Sequence, residues 1–166
     1  MSWLYLVSCW LHVMAAVVWL GAAIFLVVAV VPALRNPQLA GVSGLLVRSV
    51  TKPLRWVGAG ALGTFLVTGF YNLHVRFGAA LGDPDFWSSR LGKAIGLKLA
   101  IFGVVVLVAV VHDLWLGPRA ARAGLEDPDS EATQKLRRGA RFCGRLNLVL
   151  GLIMVGLGIL IVRPGW

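Results

Sequence analysis

Four long apolar stretches, at about residues 4–34, 54–75, 94–116 and 142–162, constrain this chain more than any other feature in it. A helix rises 1.5 Å per residue and the hydrocarbon core of a bilayer is about 30 Å thick, so roughly twenty apolar residues suffice to cross it. Each stretch is long enough. Because lipid offers no partner to a bare peptide group, such stretches cross as helices. The sequence therefore predicts an all-α fold, an integral membrane four-helix bundle that makes a single domain of residues 1–166. Composition agrees: 58% of residues are hydrophobic and 14% charged, with a mean hydropathy of +0.82, which is too apolar for a soluble globular chain.

The ends of the stretches carry helix-breaking signals. Pro32 and Pro37 are expected to close the first, Lys52-Pro53 to precede the second, Gly117-Pro118 to close the third and Arg163-Pro164-Gly165 the fourth. The longest linker, about residues 119–141, is charged; Asp127-Pro128-Asp129 reads as a turn and residues 130–138 as a short surface helix. Ala59 with Gly63, and Gly92 with Gly96, stand four residues apart, with Gly58, Gly60, Gly151, Gly156 and Gly158 besides. Small residues of this kind predict close helix contacts, are compatible with a homodimer, and in places leave room for a flat cofactor.

Charge sets the orientation. Sixteen Lys and Arg face seven Asp and Glu, a formal net charge of +9. Eleven of the basic residues fall in residues 35–55 and 119–145, and five in residues 76–98 and at Arg163. The richer side belongs to the cytoplasm, so both termini are expected on the non-cytoplasmic side of a multi-pass protein in the cytoplasmic (inner) membrane. Trp3, Trp87 and Trp166 then fall at the outer boundary, and Trp56 and Trp115 at the inner one. Basic residues placed between apolar runs face anionic membrane lipid, which argues against a nucleic-acid partner. The uncharged start and the length of the first run predict a retained helix rather than a cleaved signal. Cys9 and Cys143 are expected on opposite sides, with no bridge between them.

In so apolar a chain the polar exceptions are the functional candidates, because each ionisable group held in hydrocarbon costs a few kcal/mol. His12 lies deep in the first run, and Tyr5, Ser8, Cys9, Ala16 and Trp19 share its helical face. The second run points outward and the third inward, which brings His74 and Lys98 to about the depth of His12. Three nitrogen groups at one level, with Trp19 and Tyr71 as aromatic neighbours, could hold a b-type haem. Cys9, His12, Met14 and His74 could instead bind copper, for which thiolate, thioether and imidazole are suitable donors. His112 and Asp113 fall in the inner half, where they form a possible second site or merely end the third helix. No HExxH, CxxC, P-loop or GxGxxG pattern occurs, so metalloprotease and nucleotide-driven chemistries lack their parts.

The stretch from His12 through Trp19-Leu20-Gly21 to Val31-Pro32-Ala33-Leu34 resembles the first-helix signature of the copper resistance protein D (CopD) domain family. Thr68-Gly69, Leu91-Gly92 and Leu97-Lys98-Leu99 are similar to the rest of that pattern, over about residues 11–111. HemJ-type four-helix membrane haem proteins also look related: their first-helix histidine before Trp and Gly matches His12, and their third-helix lysine matches Lys98. Asn147 and the closing Ile159 to Pro164 resemble their final segment. The Pro-Arg pair that those proteins carry after the first-helix glycine is absent here, and Asn147 is followed by Leu148.

The CopD resemblance implies copper uptake or tolerance. The HemJ resemblance implies a haem-dependent oxidoreductase with His12 as axial ligand and His74 or Lys98 opposite it or at the propionates. The leading expectation is a haem-b redox or electron-transfer protein that exchanges electrons with quinone or a redox partner. The alternatives are a copper-handling protein that works with a copper partner, and a non-catalytic subunit of a larger membrane complex.

Overall fold

Three of the four long helices begin at a serine whose side chain accepts a hydrogen bond from the first turn. In the computed structural model, which describes residues 2–34, 36–127 and 129–163, Ser2 opens α1 (Trp3–Phe25) and accepts from the Tyr5 amide. Ser89 opens α5 (Arg90–Val110) and accepts from Gly92 at 3.0 Å. Ser130 opens α7 (Glu131–Val162) and accepts from Thr133 at 3.2 Å. Such caps satisfy amides that have no partner inside the helix, and each stabilises its helix by about 1 kcal/mol. The remaining long helix, α3 (Ser43–Phe77), starts after a 3-10 segment, Pro37–Val42. No strand occurs among the described residues.

Pro53 and Pro118 do not bound helices as the sequence predicts, whereas the first helical stretch ends at Ala33, just past Pro32, and α7 ends at Val162, before Arg163. Pro53 lies inside α3, which begins ten residues earlier at Ser43. Pro32 sits in a one-turn helix, α2 (Val31–Ala33), directly after a π-helical segment at Leu26–Val30. Pro118 sits near the start of α6 (Gly117–Glu126), directly after a second π segment at Val111–Leu116. At Pro32 and Pro118 the physical reason is shared. Proline lacks an N–H and its ring crowds the carbonyl four residues back, and a wider turn just before it absorbs the misfit without unwinding the chain. The linker between the last two apolar runs is accordingly a helical hairpin. α6 and α7 pack together, the expected surface helix is the first part of α7, and Asp127 and Asp129 flank the connection. Pro128, like Arg35 and the closing Pro164, Gly165 and Trp166, lies outside the described residues.

Among the described residues three helical stretches are long and apolar enough to cross a membrane: Trp3–Ala33, Arg90–Glu126 and Glu131–Val162. α3, which contains the expected second span, is as long, but its apolar run is diluted by Gly58, Gly60, Gly63 and Gly69 and by Thr64 and Thr68. Large apolar side chains point outward along the spans, with Val67 70% exposed and Leu107 63%. Such a surface is stable only against lipid or another apolar protein. The buried positions are mostly small (Ala15, Ala61, Ala94, Ala109), as expected where helices associate by close approach.

α1 packs chiefly on α3, and α5 on α7. Of the small residues to which the sequence assigned close packing, the structure packs Gly92 and Gly151 tightly and leaves others open. Gly60, Gly63 and Gly156 have open space around them. Gly92 instead admits the backbone of α4 (Pro84–Ser88): a Cβ there would stand 2.0 Å from the Phe86 carbonyl oxygen. The tight contact between long helices is at Gly151 of α7, where a Cβ would stand 2.6 Å from the Trp19 ring of α1.

Candidate functional site

His12 is half-buried on α1, and its Nδ1 lies 2.9 Å from Thr68 Oγ1 on α3. The Thr68 hydroxyl donates its single proton to the Thr64 carbonyl one turn back, at 2.5 Å. Thr68 Oγ1 is thus left as an acceptor, and His12 Nδ1 must be the donor. In the neutral ring that fixes the tautomer: Nε2 carries no proton and keeps a free lone pair. An imidazole held through one nitrogen with the other available is the arrangement found around metal-binding histidines. Phe65 meets the ring edge-on, with centroids 4.6 Å apart at 84°. Gly69 makes the fit possible, since a Cβ there would stand 3.3 Å from His12 Cε1.

Two adjoining cavities meet at this imidazole, and each is lined from α1, α3, α5 and α7. The larger, about 690 Å³, is walled by apolar side chains such as Leu62, Val105 and Val155, with His12 and Lys98 on its wall and Arg163 where α7 ends. Trp19 forms part of its lining and rests over Gly151. The smaller, about 270 Å³, includes Tyr5, Cys9, Asn72 and Arg76, and shares His12, Lys98 and Met154 with the larger. Lys98 is half-buried, and its Nζ stands 3.2 Å from where a Cβ on Gly158 would be. Gly158 therefore leaves room for the ammonium to enter the bundle.

The sequence-predicted residues divide on these cavities. His12 and Lys98, assigned to one level, both line the two cavities. Trp19 joins them in the larger cavity and Cys9 in the smaller. His74, placed beside His12 by depth alone, is exposed; its ring lies along α3 against Gly78 and lines neither cavity. Tyr71 is half-buried and also lines neither. Met14 is 37% exposed and is absent from both, so Cys9, His12 and Met14 do not converge. Among the described residues, no three His, Cys, Asp or Glu side chains gather in a way that could hold a metal ion.

His112 and Asp113 form a pair of their own in the second π segment, Nδ1 to Oδ1 2.8 Å, with both side chains about one-third exposed. Arg55 of α3 donates to the Asp113 carbonyl at 3.1 Å. His112 is fourteen residues beyond Lys98, about 21 Å along the axis at 1.5 Å per residue, so the two sites are separate.

Several site residues escaped the sequence. Met154 and Phe102 could have been found by carrying the last two apolar runs to the depth of His12; Gly158 entered only as one of several small residues. Asn72 carried no signal beyond being polar in an apolar run; Thr68 entered only through the family-like Thr68-Gly69 pair, and Arg163 only as an outer basic residue, a terminator and part of the resembling closing segment.

A bundle of long apolar helices around an imidazole-centred cavity defines a helical membrane protein. The chain belongs to the CopD family, described as copper resistance protein D, whose pattern matches residues 48–161, well over half of the chain. The match starts in α3 and runs through α7, further toward the C-terminus than the resembling motifs, and leaves out α1. A relative from Aquifex aeolicus (strain VF5), an "Uncharacterized protein", is 32% identical over 152 residues, covering 90% of this chain and 89% of the relative. No solved structure matches.

Proposed function

We propose that this CopD-family protein crosses the cytoplasmic membrane four times with both termini outside, and that its working centre is the His12 cavity, which holds a b-type haem. The observation that carries the proposal is the Thr64–Thr68–His12 chain of hydrogen bonds, which delivers an unprotonated Nε2 to an apolar cavity far larger than a bare ion needs. The group fits on three counts. His12 would hold the iron through Nε2. The apolar walls would accept a flat macrocycle, with Trp19 drawn back over Gly151 and Lys98 over Gly158. Lys98 and Arg163 offer cations for two propionates, and no ion pair engages either among the described residues. When bound, haem supplies one-electron redox chemistry within the membrane. The chain's own residues do the rest: Thr68 orients His12, Trp19 and Phe102 exclude water, and Lys98 fixes the ligand's charged edge.

The test is the visible spectrum of detergent-purified protein before and after dithionite. A Soret band with sharpened reduced bands, lost in His12→Ala, is expected; a colourless wild type from haem-sufficient cells would refute the reading.

The family match favours a second reading, in which copper is the cargo. His12, Cys9 and Met154 line the smaller cavity together, a nitrogen and two soft sulfur donors from α1 and α7. On that reading Met154, rather than Met14, supplies the thioether. Metal analysis after copper loading separates the readings: bound copper that falls in both Cys9→Ala and Met154→Leu belongs to this one.

A further inference from the structure

We propose that Met154 supplies the second axial ligand of the haem site, so that the centre is held from α1 by His12 Nε2 and from α7 by the Met154 thioether. The inference rests on the haem reading and deepens it. The sequence offered His74 or Lys98 for that position, and His74 lines neither cavity.

The lining of the larger cavity decides among what remains. Among the described residues, five side chains on it carry nitrogen or sulfur and none carries oxygen: His12, Trp19, Lys98, Met154 and Arg163. A ligand to iron must present a lone pair. The Trp19 indole nitrogen only donates, the Arg163 guanidinium does not deprotonate, and the Lys98 ammonium has no lone pair until it loses a proton. The Met154 sulfur keeps its lone pairs at any pH, and Met with His is one of the pairs by which proteins hold haem iron. Its place on α7 agrees. Gly151 and Gly158 stand three residues before it and four after, on one face of the helix. That face meets Trp19 of α1 at Gly151 and Lys98 of α5 at Gly158. Met154 is half-buried between these contacts, and with His12 it lines both cavities. Three rotatable bonds let its sulfur settle against an inserted ring.

Sulfur ligation has a signature that packing alone does not give: a weak red charge-transfer band in the oxidised spectrum, and a midpoint potential above that of a centre held by two nitrogens. The full chain, purified in detergent with its pigment, is expected to show both. Met154→Leu, of similar volume and without a lone pair, should keep pigment, lose the red band, turn high-spin and bind carbon monoxide when reduced. Met154→His should restore the low-spin spectrum without the red band, at a potential below that of the wild type. A pigmented wild type that lacks the band overturns the inference and leaves the haem reading standing, as does Met154→Leu with the spectrum and potential of the wild type. A low-spin spectrum that survives in Met154→Leu and fails in Lys98→Ala gives the position to Lys98 instead. A colourless wild type from haem-sufficient cells removes both readings.

Discussion

Thr68→Val isolates the feature on which the site depends. Valine keeps the branched shape and volume of threonine on α3 and removes only the oxygen that accepts from His12 Nδ1 at 2.9 Å. The Thr64 carbonyl loses little, because it still receives the ordinary helical amide of residue 68. His12 then has two choices. It can keep its Nδ1 proton with no acceptor inside the bundle, which costs about 1–3 kcal/mol. It can instead move the proton to Nε2, which blocks the nitrogen that a ligand needs. Either course should lower affinity for an Nε2-bound group about 10- to 100-fold, the range found when the hydrogen-bond partner of a ligating histidine is removed. The assay is occupancy: pigment per chain, or copper per chain on the second reading, at graded supply. Thr68→Ser, which retains the oxygen, should behave as wild type. Equal occupancy in Thr68→Val and wild type would refute the reasoning, because the tautomer would then not be set by Thr68.

Glycine substitutions supply two further tests by thermal denaturation in detergent. Gly151→Ala should destabilise by about 1–3 kcal/mol, since its Cβ would meet the Trp19 ring at 2.6 Å; Gly156→Ala, with open space around it, should be neutral or stabilising by roughly 0.5–1 kcal/mol. Gly92→Ala should sharply reduce folded yield, because its Cβ would stand 2.0 Å from the Phe86 carbonyl and backbone cannot yield as a side chain can. For topology, in a chain whose Cys9 and Cys143 are alanine, a cysteine in place of Asp83 should react with an impermeant maleimide in whole cells and one in place of Ser130 should not. Labelling of both from the same side would contradict the four-span orientation.

Depth was legible in the sequence because helical rise is nearly constant. His12 and Lys98 could be set at one level from residue counts, and the structure brings them to one cavity. Rotation was less so. Met14 follows His12 by two residues, about 200° round the helix, and so faces away; that much a helical wheel could have shown. His74 failed for another reason: α3 turns it outward past Gly69 and Asn72, and which face of α3 meets α1 is decided by how Thr68 and Phe65 engage His12. The proline rules misled because they treat the ring as a terminator. In an apolar stretch the alternative to a continued helix is exposed peptide groups with no water to bind them, so the helix runs on through Pro53 and, after a wider turn, through Pro118.

The two wide turns before Pro32 and Pro118 have a consequence for how chains related to this one vary. A π turn is an α-helix holding one residue more than its neighbours, so everything beyond it is rotated by roughly 100° relative to an unbroken helix. Below Val110, therefore, His112 and Trp115 occupy faces that no continuous wheel drawn from Lys98 would give them. A descendant that dropped a single residue within Val111–Leu116 could close the turn to ordinary α geometry and still cross the bilayer. It would, however, turn the α6–α7 hairpin about its axis, altering what that end of the molecule presents while the His12 cavity at the other end stayed as it was.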